Sequence, residues 1–159
     1  MEFTVFTIES KGMFNSGYNI YQDDNFVYSV IKPSIFISRK RIIKDSKGQE
    51  LVTLHRKLNL GNFKIDILEN DQIIATIVKE TFSNKYHIDG TYGVYEMNGN
   101  FFNSELTIFN GNSEVAKISK KRKGLSSIYG VAIKEGNNKV FLLSIVLAFL
   151  MVAEVQHQG

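Results

Sequence analysis

His55, His87 and His157 are the side chains best suited to move protons or hold a metal, and nothing in their spacing brings them together. None belongs to a His-Glu-x-x-His pair, so a metal site would need carboxylates from distant parts of the chain. His55 continues an extended run after Leu54, and His87 lies in KYHIDG. Both read as surface or rim histidines, and His157 as part of a terminal tail. Asp23-Asp24 fits a turn, where Asp bonds its own backbone. A calcium loop of the EF-hand kind needs acids at alternating positions and a distal Glu, and Gln22, Asn25 and Phe26 do not supply them. Ser126 and Ser127 in GLSSIYG do not form a G-x-S-x-G elbow, and no helix follows them. No Walker loop or dinucleotide fingerprint occurs. The absence of cysteine removes disulfides, thiol nucleophiles and thiolate metal sites together. The chain therefore reads as non-catalytic, with no cofactor and no metal.

The basic runs carry more. Lys120, Lys121, Arg122 and Lys123 place four cations in succession, and Arg39, Lys40 and Arg41 place three. At exposed strand ends such residues blunt edges and keep a protein soluble. They also suit an anionic membrane, where each contributes about 1 kcal/mol that salt weakens. Nucleic-acid phosphates attract the same residues, but the aromatics that would stack bases cannot be told here from core aromatics, and this partner ranks last. A net charge of +3 permits such contacts without requiring them.

Most of the chain alternates with a period of two, as strands do. Thr4, Phe6 and Ile8 share one side against Phe3, Val5 and Thr7; Ser127, Tyr129, Val131 and Ile133 share another. Pro33 is the only proline, so little interrupts ladder hydrogen bonds. A unit recurs in IIKDSKGQELVTLHRK, ILENDQIIATIVKE and IFNGNSEVAKISKK, and more weakly in YNIYQDDNFVYSVIK. Each has an apolar strand end, a cluster of Asp, Asn, Gly or Ser, and a second strand that mostly ends in basic residues. Val52, Ala75 and Ala116 occupy matching positions. These clusters are hairpin turns, and successive hairpins make a meander or an up-and-down barrel. No linker divides the chain, so residues 1–159 are expected to form one domain of roughly ten to twelve strands.

VFLLSIVLAFLMVA, Val140 to Ala153, breaks the alternation. Leu, Ala, Met and Phe favour a helix at this length, here over about 138–156. Asn137 or Asn138 can cap it, and Ser144 can return its hydroxyl to the carbonyl near Val140. Fourteen residues span ~21 Å, short of the roughly 30 Å of a bilayer core. A helix apolar on every face must be covered on every face. A closed β-barrel does this, and a flat sheet does not. The expected fold is thus mainly β: a closed antiparallel barrel around its own C-terminal helix.

The chain resembles the tubby-like C-terminal superfamily, most closely its LURP-one-related and phospholipid-scramblase-like branch. The resemblance rests on the hairpins ending ELVTLHRK, IIATIVKE and SEVAKISKK, on SKKRKG leading into SIYGVAI, and on KVFLLSIVLAFLMV. It covers nearly the whole chain and implies about twelve strands around a central helix. Among its members, tubby proteins bind phosphoinositides, scramblase-like proteins are linked to calcium and lipid movement, and many LURP-one-related proteins have no established activity. Where scramblase-like chains carry an acidic segment, this one has KEGNNKV with Glu135 alone, and it has no cysteine cluster for acylation. These departures argue against a calcium-driven scramblase. The expected function is a non-catalytic module that contacts anionic membrane lipid, with phosphoinositide-type headgroups, through Lys120–Lys123 and Arg39–Arg41. The alternative is a structural or protein-interaction scaffold without a lipid role, its protein partner unknown. A tail-anchored chain is a third reading, disfavoured because no membrane span is expected. MEFTVFTIES lacks the basic start and apolar core of a secretory signal, so the expected compartment is the cytosol, with the protein peripheral at a membrane.

Overall fold

A computed structural model of the chain describes residues 2–11, 17–33, 39–57, 62–80, 82–98, 105–123 and 126–158. Its strands are β1 (Phe3–Ser10), β2 (Gly17–Gln22), β3 (Asn25–Ile31), β4 (Lys40–Asp45), β5 (Glu50–Lys57) and β6 (Asn62–Glu69). They continue with β7 (Gln72–Glu80), β8 (Lys85–Gly90), β9 (Gly93–Asn98), β10 (Glu105–Asn110), β11 (Ser113–Lys123) and β12 (Ser126–Lys134), and one helix, α1 (Lys139–Gln158), follows. Every strand pairs antiparallel with its sequence neighbours, and β1 pairs with β12 to close the ring. This is the expected barrel, with twelve strands. The helix runs two residues beyond the expected end and takes in His157, which the sequence reading left in a tail.

The repeated unit has a structural meaning. The pairings of β2–β3, β4–β5, β6–β7 and β10–β11 each slip register at one place, after Ile20, Ile43, Ile67 and Ile108. Each is a hairpin with a bulge near its turn, and a bulge adds the twist a sheet needs to curl shut. Val52, Ala75 and Ala116 pair with three of those isoleucines and are all buried. The turn chemistry agrees with the turn residues. Asp23 and Asp24 have φ of 49° and 66°, and Asn70 and Asp71 have 52° and 62°. Two successive positive φ values are the tight hairpin turn that Asp and Asn tolerate. In β4–β5, Asp45 Oδ1 accepts hydrogen bonds from Lys47 N and Gln49 N, both at 2.9 Å.

The inward rows bury Phe6, Ile8, Ile20, Val30, Leu54, Ile88 and their counterparts against α1, whose residues from Phe141 to Ala153 are all buried. Asn138 Oδ1 caps the helix by accepting from Phe141 N at 3.0 Å. Ser144 Oγ donates to Val140 O at 2.8 Å, so the one hydroxyl inside the apolar run is satisfied. The helix backbone comes closest to β5 and β6 on one side and to β12 on the facing side. On the other diameter, aromatic rings occupy the space. Phe141 lies 5.0 Å from Tyr92 and 5.6 Å from Tyr95, Phe149 lies 5.9 Å from Tyr86, and Phe6 lies 6.4 Å from Tyr28. Gly90 is needed where strands crowd. A Cβ there would sit 2.5 Å from Ala75 Cβ and 2.6 Å from Ile74 O. Gly90→Ala should therefore cost about 1–3 kcal/mol of overpacking, read as a lower urea midpoint with an unchanged slope.

Glu135 fastens the first strand to the last turn. It accepts a hydrogen bond from Thr4 Oγ1, its second oxygen lies 3.3 Å from Lys139 Nζ, and its backbone N donates to Glu2 O at 3.0 Å. The Thr4 hydroxyl first, then Lys139, hold its carboxyl below the usual glutamate range. A folded-state pKa below the unfolded one means stability that is present at neutral pH and lost as pH falls through the folded value. Glu135→Gln should lower the urea midpoint at neutral pH, and the gap should close in acid below the usual carboxylate range.

Candidate functional site: the basic end of the barrel

Antiparallel neighbours place the ends of odd strands and the starts of even strands at one rim of the barrel. That rim collects the cations. Lys57 ends β5, Lys79 and Lys121 lie one and two residues before the ends of β7 and β11, Lys40 and Lys85 open β4 and β8, and Lys64 is the third residue of β6. Lys11, Lys32 and Arg39 lie just outside strand ends at the same rim. The opposite rim collects acids. Asp23, Asp24, Asp45, Glu50, Glu69 and Asp71 lie in or beside its turns. A chain with a net charge of only +3 thus has an excess of cations at one end, where Glu80 and Glu105 also lie, and an excess of acids at the other, where Lys44, Lys47, Lys134 and Lys139 also lie. The helix enters at the acidic end, beside Tyr92, and its C-terminal end leaves through the basic one, beyond Phe149 and Tyr86.

The cations at this end divide by the face they occupy. Two residues on from Ile43 toward the rim, Arg41 is on the inward row and buried, and its Nη1 donates to Lys40 O at 2.8 Å. Lys79 is also inward and buried, donating to Glu80 O at 3.1 Å with its ammonium 5.5 Å from the Phe63 ring. Burial holds its pKa below the ordinary lysine value. Lys120 continues the inward row of Ile118, and it too is already partnered. The C-terminus of a helix carries the negative end of its dipole, which inward cations at that mouth offset. Arg41, expected in the anionic-ligand patch, is thus buried on the inward row while Lys40 beside it is exposed.

Lys40, Lys85 and Lys121 face outward and are exposed. Arg122 and Lys123 extend β11 to the rim. Lys57 is outward as well, 3.7 Å from the buried carboxylate of Asp66, which also accepts from Thr76 Oγ1 at 3.1 Å. Arg39 is half-buried, and among the described residues nothing accepts a hydrogen bond from its Nε. A buried donor without an acceptor costs about 1–3 kcal/mol, so an anion oxygen at that position would be favoured. His55 pairs with Lys40 in the sheet register. Burial first, then Lys57, Lys40 and Arg39, push its pKa below the usual value against the pull of Asp66.

The two runs singled out in the sequence thus meet at one rim, on nearly opposite walls. Lys57 and Lys79 were noted only as basic strand endings, and sequence reasoning missed Lys64 and Lys85, which are isolated in the chain and gathered only by the topology. The basic ending of the second strand in the repeated hairpins signals Lys57 and Lys79, and nothing local signals Lys64 or Lys85.

Chemistry of other kinds finds less support. Among the described residues no three His, Cys, Asp or Glu side chains come together as metal ligands. His87 Nδ1 lies 3.4 Å from Glu96 Oε1, and both are exposed on the outer wall. A cavity of about 220 Å³ beside the helix start is lined by Leu51, Val52, Ile74, Val140 and Phe141 together with Glu69, Tyr92 and Asn138. Among the described residues no helix is long and apolar enough to cross a membrane.

The LURP-one-related family model matches residues 4–150, nearly the whole barrel and most of the helix. The chain belongs to the LURP-one-related family. Membership places it in the tubby-like superfamily that its hairpins and final helix resembled. The X-ray structure of an Arabidopsis thaliana protein is similar to this LURP-one-related chain with a TM-score of 0.68, covering 95% of this chain and 91% of that one at 17% identity. At that identity the likeness speaks for the fold alone. No curated protein matches the chain.

Proposed function

We propose that this LURP-one-related barrel is a non-catalytic module that docks its basic end on anionic, phosphate-bearing membrane lipid. The observation that carries the reading is the sorting of charge along the barrel axis. The exposed Lys40, Lys85 and Lys121 share one rim, and the acidic turns are turned away from it. The unmet Nε of Arg39 adds a donor suited to a phosphate oxygen. Phosphoinositide-type headgroups, with several phosphates each, would engage such a rim most strongly. A protein working in this way would be cytoplasmic and peripheral at the membrane. The test is sedimentation with phosphatidylcholine vesicles, with and without phosphatidylserine or a phosphoinositide, at low and high salt. Binding should require the anionic lipid and weaken with salt. Absence of binding at any salt would leave the scaffold reading in its place.

A further inference from the structure

Phe82 is fully exposed, at 103% of its reference area, while every other exposed large apolar side chain among the described residues lies between 41% and 61%. Those others, Phe3, Val5, Phe26, Ile73, Tyr92 and Val94, sit on the outer wall or near the acidic rim. Phe82 alone lies at the basic rim, in the connection from β7 to β8. The backbone around it is braced. Glu80 O accepts from Ser83 N at 3.1 Å and from Lys79 Nζ at 3.1 Å, and Ser83 Oγ accepts from Lys85 N at 3.0 Å. The ring is fully exposed at the basic rim, with the exposed Lys85 and Glu80 nearby in sequence and the buried Lys79 behind them. An aromatic projecting from a cationic surface matches an anionic bilayer, where lysine heads stay with the phosphates and a ring settles at the interface.

We propose that Phe82 is an insertion side chain, entering the lipid when the basic end docks on an anionic bilayer. This rests on the membrane reading above and adds a depth and an orientation to it. The barrel axis would stand across the membrane plane, with the β7–β8 turn lowest and the acidic turns farthest from the lipid. Charge brings the barrel to the surface, and burial of the ring holds it there. Removing the ring should then act on affinity and spare the fold, because Phe82 covers nothing within the protein.

The chain has no tryptophan, so Phe82→Trp makes a single fluorescent reporter. On titration with vesicles of phosphatidylcholine and phosphatidylserine, the indole emission should move to shorter wavelength and be quenched by bromine on the acyl chains. Phosphatidylcholine alone should leave it unchanged. Phe82→Ala should weaken sedimentation with the same anionic vesicles about tenfold, the scale of losing one buried ring's transfer energy, with its melting temperature unchanged. If the protein sediments with anionic vesicles while the indole stays in water and Phe82→Ala binds as well as wild type, the insertion is overturned and the charge-based reading survives. If nothing sediments, both fall. A spectral shift that grows with protein concentration in the absence of lipid would assign the ring to a second copy of the chain, and would overturn the insertion as well.

Discussion

Leu147→Asp should leave the protein insoluble or unfolded. Leu147 is 1% exposed, in the middle of a helix buried on all sides from Phe141 to Ala153. A carboxylate at that position would be sealed from water inside a largely apolar core. Keeping it charged there costs several kcal/mol, and keeping it neutral costs the protonation energy instead. Domains of this kind usually hold about 5–15 kcal/mol of stability in all. Phe149→Asp should behave alike and also removes the ring that packs edge-on against Tyr86 at 5.9 Å. Leu147→Met is the control. It conserves volume and should cost less than about 1.5 kcal/mol. The readouts are the soluble fraction on expression and the thermal melt by circular dichroism. A soluble Leu147→Asp protein with a wild-type melt would mean that the helix is not enclosed.

Reversal of Lys40 and Lys121 together, to Glu, should abolish binding to anionic vesicles. The two are exposed on nearly opposite walls of the same rim. Each reversal changes the local charge by two, and near an anionic surface each charge is worth about 1 kcal/mol. Four units of charge correspond to roughly a thousandfold in affinity. Lys47→Glu separates place from net charge. It changes the total as much as Lys40→Glu does, but Lys47 lies in the β4–β5 turn at the acidic rim. Lys40→Glu alone should weaken vesicle sedimentation at low salt by more than tenfold, and Lys47→Glu by little. Equal losses would mean that the barrel binds as a diffuse charge, with no docking end.

Much of this architecture was legible in the chain because its signals are local. The hairpin turns announce themselves through Asp, Asn and Gly, whose backbones reach positive φ. The helix announces itself through an unbroken apolar run, with Asn138 as its cap and Ser144 bonded back to Val140 as the sequence implied. Even the bulges leave a trace, since the matching positions of Val52, Ala75 and Ala116 mark where three hairpins slip register. The candidate site was legible only in part, because it depends on which end of the barrel each residue reaches. The runs at 39–41 and 120–123 were visible as runs. Lys64 and Lys85 were not, since each is a lone cation until strand direction stacks it beside the others. Inward and outward positions also escaped the basic runs. Arg41 shares the face of Ile43, but in a stretch of consecutive cations no alternation of hydropathy reveals it. Phe82 was hidden for the opposite reason, because an aromatic between two strands reads as core.

The plug is made after every strand of the barrel that encloses it, and the seam it lies beside joins the first strand to the last. Thr4 meets Glu135 across 131 residues, and β1 zips to β12 along most of its length. Until those segments emerge, a nascent chain has hairpins curled around nothing, with a greasy lining turned to water. Closure of the barrel must therefore wait for β12 and α1, and it then proceeds from long-range contacts that are slow to find. The interval is one in which a chaperone that masks apolar sheet surface would matter most.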